Sequence, residues 1–408
     1  MDRRHFLRHM IGAGMTFPML DWVNGFHAAR AASAPARGPS TIDIWDLKPG
    51  TKNGGEFKPI STTGSGQICE HLPRLAKQMK HLSIIRSYTS RDGSHERGTY
   101  INHTAFAPVT SVIHPALGAV VAKYNTPGNL EVPGHISLGG PGVSPGFLGA
   151  AYAPFRVEAG DNPIPNIKSY VDNVRLERRN ALLGKMQDSF VKQGRGELPG
   201  EHNTILGRAQ ELMSSKLLDA FKIDKVSAGR REKFGDHQFG RNCLLAAELV
   251  EIGVPFIEIG LGGWDNHQGI FDALADSPRA LLPQLDQGFG SLVEDLTERG
   301  LLASTTVCCM GDFGRTPKIN QDSGRDHWPT GWSVVLGGGK IKGGEVVGAM
   351  SDDGTEIADR PVDVSNLFAT LYESVGVSAA TELRSPNGRP LKLVGTFGSG
   401  DAVREILS

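Results

Sequence analysis

Three short segments of this chain pair carboxylates with histidines or arginines. Gly262-Gly263-Trp264-Asp265-Asn266-His267-Gln268 sets an acid two positions before an imidazole. Gly311-Asp312-Phe313-Gly314-Arg315-Thr316-Pro317 adds an acid and an arginine, and Gly324-Arg325-Asp326-His327-Trp328-Pro329 adds a second histidine. Aspartate and neutral histidine suit zinc, manganese or iron, and a mixed set is the usual hydrolytic one. Glycine beside each acid lets the backbone come close to an ion. A lone loop histidine is more often an ordinary hydrogen-bonded residue; three clusters at predicted strand ends are much less an accident. A fourth segment, Ser90 to Thr99, precedes a predicted helix through Tyr100. A hydroxyl or imidazole at that helix start, Ser94 or His95, lies in a positive field that favours an anionic substrate. Arg91 and Arg97 could add phosphate or sulfate contacts. His95-Glu96 does not open a zinc-protease motif, because position 99 is Thr99.

The elements that must position these residues alternate. Leu72, Leu75, Ala76 and Met79 recur at helical spacing, and His81–Ile85 then reads as a strand. Phe239, Cys243, Leu244, Ala247 and Val250 mark a helix closed by Gly253, followed by a strand at Pro255–Ile259. Leu285, Phe289, Leu292, Val293 and Leu296 line a third helix, stopped by Gly300. Thr305–Met310 and Ser333–Leu336 read as strands, and Val364–Tyr372 as a last helix capped by Asp363. This alternation predicts a mostly parallel sheet covered by helices on both faces, with ligands beyond the strand ends. Residues 197–233 read as a charged helical excursion.

Composition bounds the partners. The 408 residues balance 43 basic against 44 acidic side chains, so nothing global points to nucleic acid. Four cysteines, two of them adjacent, make neither a disulfide framework nor a thiolate zinc site. At the amino terminus, Arg3-Arg4 precede Phe6-Leu7, a weakly apolar stretch to Phe26, and the small-residue run Ala28-Ala29-Arg30-Ala31-Ala32. That pattern resembles a twin-arginine export signal over residues 1–32, ahead of a single domain over 33–408. No stretch in the mature chain is apolar enough to span a membrane stably.

Together the Gly311–Pro317 and Gly324–Trp328 runs, Gly337-Gly338-Gly339 with Lys342-Gly343-Gly344, Gly263–His267, Ile42–Pro49 and the leader resemble the exported bacterial family catalogued as domain of unknown function 1501. That family resembles the alkaline phosphatase and sulfatase superfamily. The resemblance implies a three-layer α/β/α sandwich with a metal at the strand ends, hydrolysing phosphate or sulfate esters. It implies Asp312, His327, Asp265 and His267 as metal ligands, with Asp43 or Asp46 as the early aspartate. Ser94-His95 falls at the place of the nucleophile. Phe313 stands where phosphatases carry a histidine, and Ala31–Gly38 where the family has an apolar strand.

The expected protein is therefore an exported, periplasmic or envelope hydrolase using a divalent metal such as zinc, calcium or manganese. Its substrate is a small-molecule or polysaccharide phosphate or sulfate ester. Asp265, His267, Asp312 and His327 bind the metal with Asp43 as a further ligand; Ser94 or His95 attacks or positions the nucleophile; Arg315 holds the anion. The rival is a non-catalytic exported binding protein on the same scaffold. Export predicts that mature protein lacks Met1 to about Ala32. Amino-terminal sequencing of the periplasmic form checks this, and retention of Arg3-Arg4 refutes it.

Overall fold

The computed structural model describes residues 38–408 except 162, 166, 194–197 and 396, so the leader lies outside the described residues. The chain enters through a short buried helix, α1 (Thr41–Ile44), a hairpin of β1 (Pro59–Ser61) and β2 (Gln67–Cys69), and α2 (Pro73–Gln78). Next comes the longest strand, β3 (Leu82–Thr89), whose side chains alternate between two cores. Leu82 and Ile84 face one core with Leu72, Leu75 and the helices that follow. Ile85 and Tyr88 face the other.

Helices α3 (His95–Thr104) and α4 (Leu117–Asn125) lead to β4 (His135–Leu138) and β5 (Phe155–Val157). Four helices follow: α5 (Asn173–Lys192), α6 (Leu198–Ser214), α7 (Ala228–Phe234) and α8 (Gln238–Glu251). The helical excursion thus begins earlier than the sequence pattern indicates. Strand β6 (Phe256–Ile259) and helix α9 (Leu281–Glu298) precede β7 (Val307–Cys309), β8 (Gly314–Arg315), β9 (His327–Trp328) and β10 (Trp332–Gly337). Short strands β11 (Val346–Val347), β12 (Ala349–Met350), β13 (Ile357–Asp359) and β14 (Val362–Asp363) end at α10 (Val364–Ser374). Asp363 caps α10 as expected. It accepts from the amides of Ser365 at 2.7 Å and Asn366 at 3.1 Å, while its own amide donates to Asn366 Oδ1.

The expected alkaline phosphatase-like sandwich with a mostly parallel central sheet is not what forms. The larger sheet runs β11-β3-β10-β7, with β14 also on β3. Its core pairs are antiparallel, Val335 opposite Ile84 and Cys309, and only the short β11 and β14 run parallel to β3. A separate three-stranded parallel sheet runs β5-β4-β6. Every strand assigned from sequence exists, but helix–strand alternation fixes neither neighbour nor direction. β6 goes to the small sheet and β7 to the large one, so consecutive strands separate. Antiparallel β10 then fills the place between β3 and β7. It sends Val335 to one core, and Trp332, Val334 and Leu336 to the other.

Titratable groups tie helix α3 to the small sheet. On α3, His103 bonds Glu258 of β6 at 3.0 Å, and Glu258 also accepts from the Gly142 amide. Burial opposes charge on His103, yet the Glu258 contact raises its pKa overall; His103 in turn lowers that of Glu258 against its burial. His135 of β4 is 3% exposed, and burial pushes its pKa down to about 4. An unfolded histidine titrates near 6.5. Between these values the unfolded chain binds the extra proton, so stability falls as pH drops from about 6.5 to about 4. The raised His103 contributes fully below 6.5 and fades only as pH rises through its folded value, so it adds no slope in that window. Urea midpoints taken across it should fall on acidification, and His135→Leu should flatten the decline.

Candidate metal site

Two close backbone approaches build the site. A Cβ on Gly38 would collide with the Phe313 carbonyl, and one on Gly311 with Gly38 itself, so both positions need glycine where the segment at Gly38 crosses the Gly311–Arg315 turn. Likewise a Cβ on Gly324 would strike the backbone of His267. That contact docks the 320–325 loop on the loop after β6: the Gly269 amide donates to Asp322 O, Ile270 to Ser323 O, and Arg325 to Asn266 O. The small β8–β9 ribbon sets Arg315 directly opposite His327. The start of α3 supplies His95 from across the sheet.

Asp265 Oδ1 is the focus. It lies 3.3 Å from His95 Nε2, 3.1 Å from His327 Nε2, 3.1 Å from His267 Nε2 and 2.7 Å from Arg315 Nη2. His267 and His327 also bring their Nε2 atoms within 3.1 Å of each other. The other nitrogen of each ring is held by an acceptor. His95 Nδ1 meets Asp312 Oδ2 at 2.6 Å, His327 Nδ1 meets the Gly93 carbonyl at 2.7 Å, and His267 Nδ1 meets Asp326 Oδ1 at 2.7 Å. An acceptor at Nδ1 puts the proton there and leaves a lone pair on Nε2. Three lone pairs and a carboxylate oxygen then face one another, an arrangement that a cation between them stabilises.

The residues fit a metal ion in two further respects. His95 Nε2 is buried with no hydrogen-bond partner among the described residues. Donor separations of 3.1 and 3.3 Å match the edge of a tetrahedron whose bonds are about 2.0–2.1 Å long. His95, Asp265 and His327 form a triad that could hold a metal ion, each offering one ligand atom within 4.8 Å of the others.

The remaining sequence candidates take other places. Asp312 does not join the triad. Its Oδ1 accepts from the amides of Gly38 and Phe313 at 2.8 and 3.0 Å, and its Oδ2 orients His95. Burial pushes the Asp312 carboxyl up, partly offset by His95. Arg315 is not open to a substrate anion. Its side chain is fully buried, and it bonds Asp265, Gly38 O and Arg325 O. Asp43 is also withdrawn. Both its oxygens take a bidentate contact from Arg325, each at 2.7 Å, and both side chains are fully buried. Ser94 is the exposed cap residue of α3 and makes no side-chain cap bond. His95 is a ligand candidate in the triad. Sequence reasoning missed two contributors, the Gly93 carbonyl and Asp326. Asp326 adjoins His327 in the motif, but no spacing rule links it to His267. Trp264, between Gly263 and Asp265, is buried at 5% exposure.

A family model matches residues 37–407. The chain belongs to the family described as Protein of unknown function (DUF1501). The matched span takes in every residue of the site in this DUF1501 chain, from Gly38 through His327. No curated protein and no solved structure matches it.

Arg325 spends all five of its guanidinium hydrogens. Besides Asp43 it donates to Asn53 O, Thr316 O and Pro317 O. Removing one partner of such a buried pair strands the other, at a cost of about 3–5 kcal/mol. Arg325→Met should lower stability by that amount in equilibrium denaturation. Asp43→Asn should also destabilise, yet leave the metal content of the folded fraction unchanged; loss of metal without loss of stability would restore Asp43 as a ligand.

Proposed function

We propose that this protein is a metal-dependent hydrolase of phosphate or sulfate esters, with His95, Asp265 and His327 as ligands. The observation that carries the reading is the convergence of three imidazole Nε2 atoms and an arginine on Asp265 Oδ1. A divalent ion bound there would polarise an ester oxygen and acidify a water. Asp312 holds His95 in the tautomer that presents Nε2, and the Gly93 carbonyl does the same for His327. Arg315 fixes the orientation of the Asp265 carboxylate. His267, held by Asp326 and 42% exposed, is placed to accept or return a proton at Nε2. The amides of His95, Glu96 and Arg97 open helix α3 without intrahelical acceptors, and their field favours a negatively charged substrate. The leader's paired arginines support export to the periplasm or cell envelope.

One observation favours the rival, a non-catalytic exported binding protein. Among the described residues no hydroxyl hydrogen-bonds a site histidine, so a side-chain nucleophile with its base is absent. In the hydrolase reading water attacks instead.

Metal analysis beside an arylphosphate and arylsulfate screen with zinc, manganese and calcium separates the two. The wild type should hold close to one equivalent and turn over one ester class. Asp265→Asn and His327→Ala should lose most of the metal, because few donors hold it. His267→Ala should keep the metal and lose about 100-fold or more in rate. Metal bound without turnover leaves the binding protein; loss of metal in His267→Ala makes His267 a fourth ligand.

A further inference from the structure

Helix α5 has a surface that the site does not use. None of its residues is buried. Its inner side, through Leu176, Leu183 and Gln187, is half-buried, and Gln187 Nε2 lies 2.7 Å from His202 Nδ1 on α6. The outer side exposes Val174, Leu182 and Met186 at 58, 62 and 57%. Arg175, Arg178, Arg179, Lys185 and Lys192 are exposed on the same helix, against two acids, Glu177 and Asp188. At about 100° per residue these apolar and basic side chains fall within one arc of roughly 140°, and both acids fall outside it.

We propose that α5 docks this protein onto an anionic lipid surface, lying in the headgroup plane. Charge complementarity selects the occupant. A second copy would set the same five cations against one another. A nucleic acid would engage the cations and leave Val174, Leu182 and Met186 in water. An anionic bilayer takes both: acyl boundary for the apolar groups, headgroups for the basic ones, whose long stems reach outward. The whole chain carries a formal charge of only -1, so the attraction is local to this helix. No described helix is long and apolar enough to cross a membrane, which agrees with a helix resting on the surface.

Co-sedimentation of the full chain tests this, with vesicles of phosphatidylglycerol and phosphatidylcholine in equal parts and with vesicles of phosphatidylcholine alone. The protein should pellet with the anionic vesicles, poorly with the neutral ones, and less as salt rises. Arg178→Glu with Arg179→Glu should weaken binding about tenfold or more. Leu182→Ser with Met186→Ser should also weaken it, and neither pair should shift thermal unfolding, since all four side chains are exposed. The leader is itself basic and apolar, so the paired variants decide the matter. Unchanged binding in both variants overturns the proposal. So does equal binding to neutral vesicles, failure to bind anionic ones, or a dimer that the Leu182/Met186 variant abolishes.

Discussion

The buried Asp43–Arg325 pair is the constraint that holds the loops around the site in their folded places. Two full charges without solvent contact are tolerable only when every donor and acceptor is matched. Here the guanidinium achieves this by also gathering the carbonyls of Asn53, Thr316 and Pro317. One side chain thereby fixes the chain start, the turn after Arg315 and the loop leading to Asp326 and His327. Replacing the pair by apolar groups could match its stability. It could not reproduce the directions in which those three carbonyls are held.

Around this anchor the site is assembled in shells. The innermost atoms belong to His95, Asp265 and His327, and each is aimed by something else: Asp312, Arg315 and the Gly93 carbonyl. The aiming groups are fixed in turn. Asp312 takes two amides, and its own carbonyl accepts from Asn102 at 2.6 Å. Asn102 is held by the Tyr88 hydroxyl, also at 2.6 Å, so a core strand residue reaches His95 of the candidate triad through three hydrogen bonds. Such support keeps acceptor atoms close together before any ion arrives.

Much of this was legible in the sequence, for identifiable reasons. Asp265, His267, Arg315 and His327, singled out from acids and histidines beyond strand ends, do come together in space. The helices through Leu285–Leu296 and Val364–Tyr372 were readable from period and caps. Sheet direction was not, because β3 and β10 are buried on both faces and read the same whether parallel or antiparallel. Nor could the sequence divide first contacts from supporting ones. Asp43, Asp312 and Asp265 are the same residue type, and the last two share a glycine-rich setting. Only the fold decides that one meets Arg325, one meets two amides and His95, and one meets the histidines.

The span of these contacts bears on how the protein comes into being. Asp43 and Arg325 are 282 positions apart, Gly38 and Asp312 274, His95 and Asp312 217. Contacts so distant in sequence form after the local ones, since closing long loops costs entropy before it returns any stability. A nascent chain that stops short of Arg325 has His95 and Asp265 but neither His327 nor the guanidinium that seats its loop. The candidate triad is therefore a property of the nearly finished polypeptide, and an ion held there would stabilise only chains that have completed their longest-range folding.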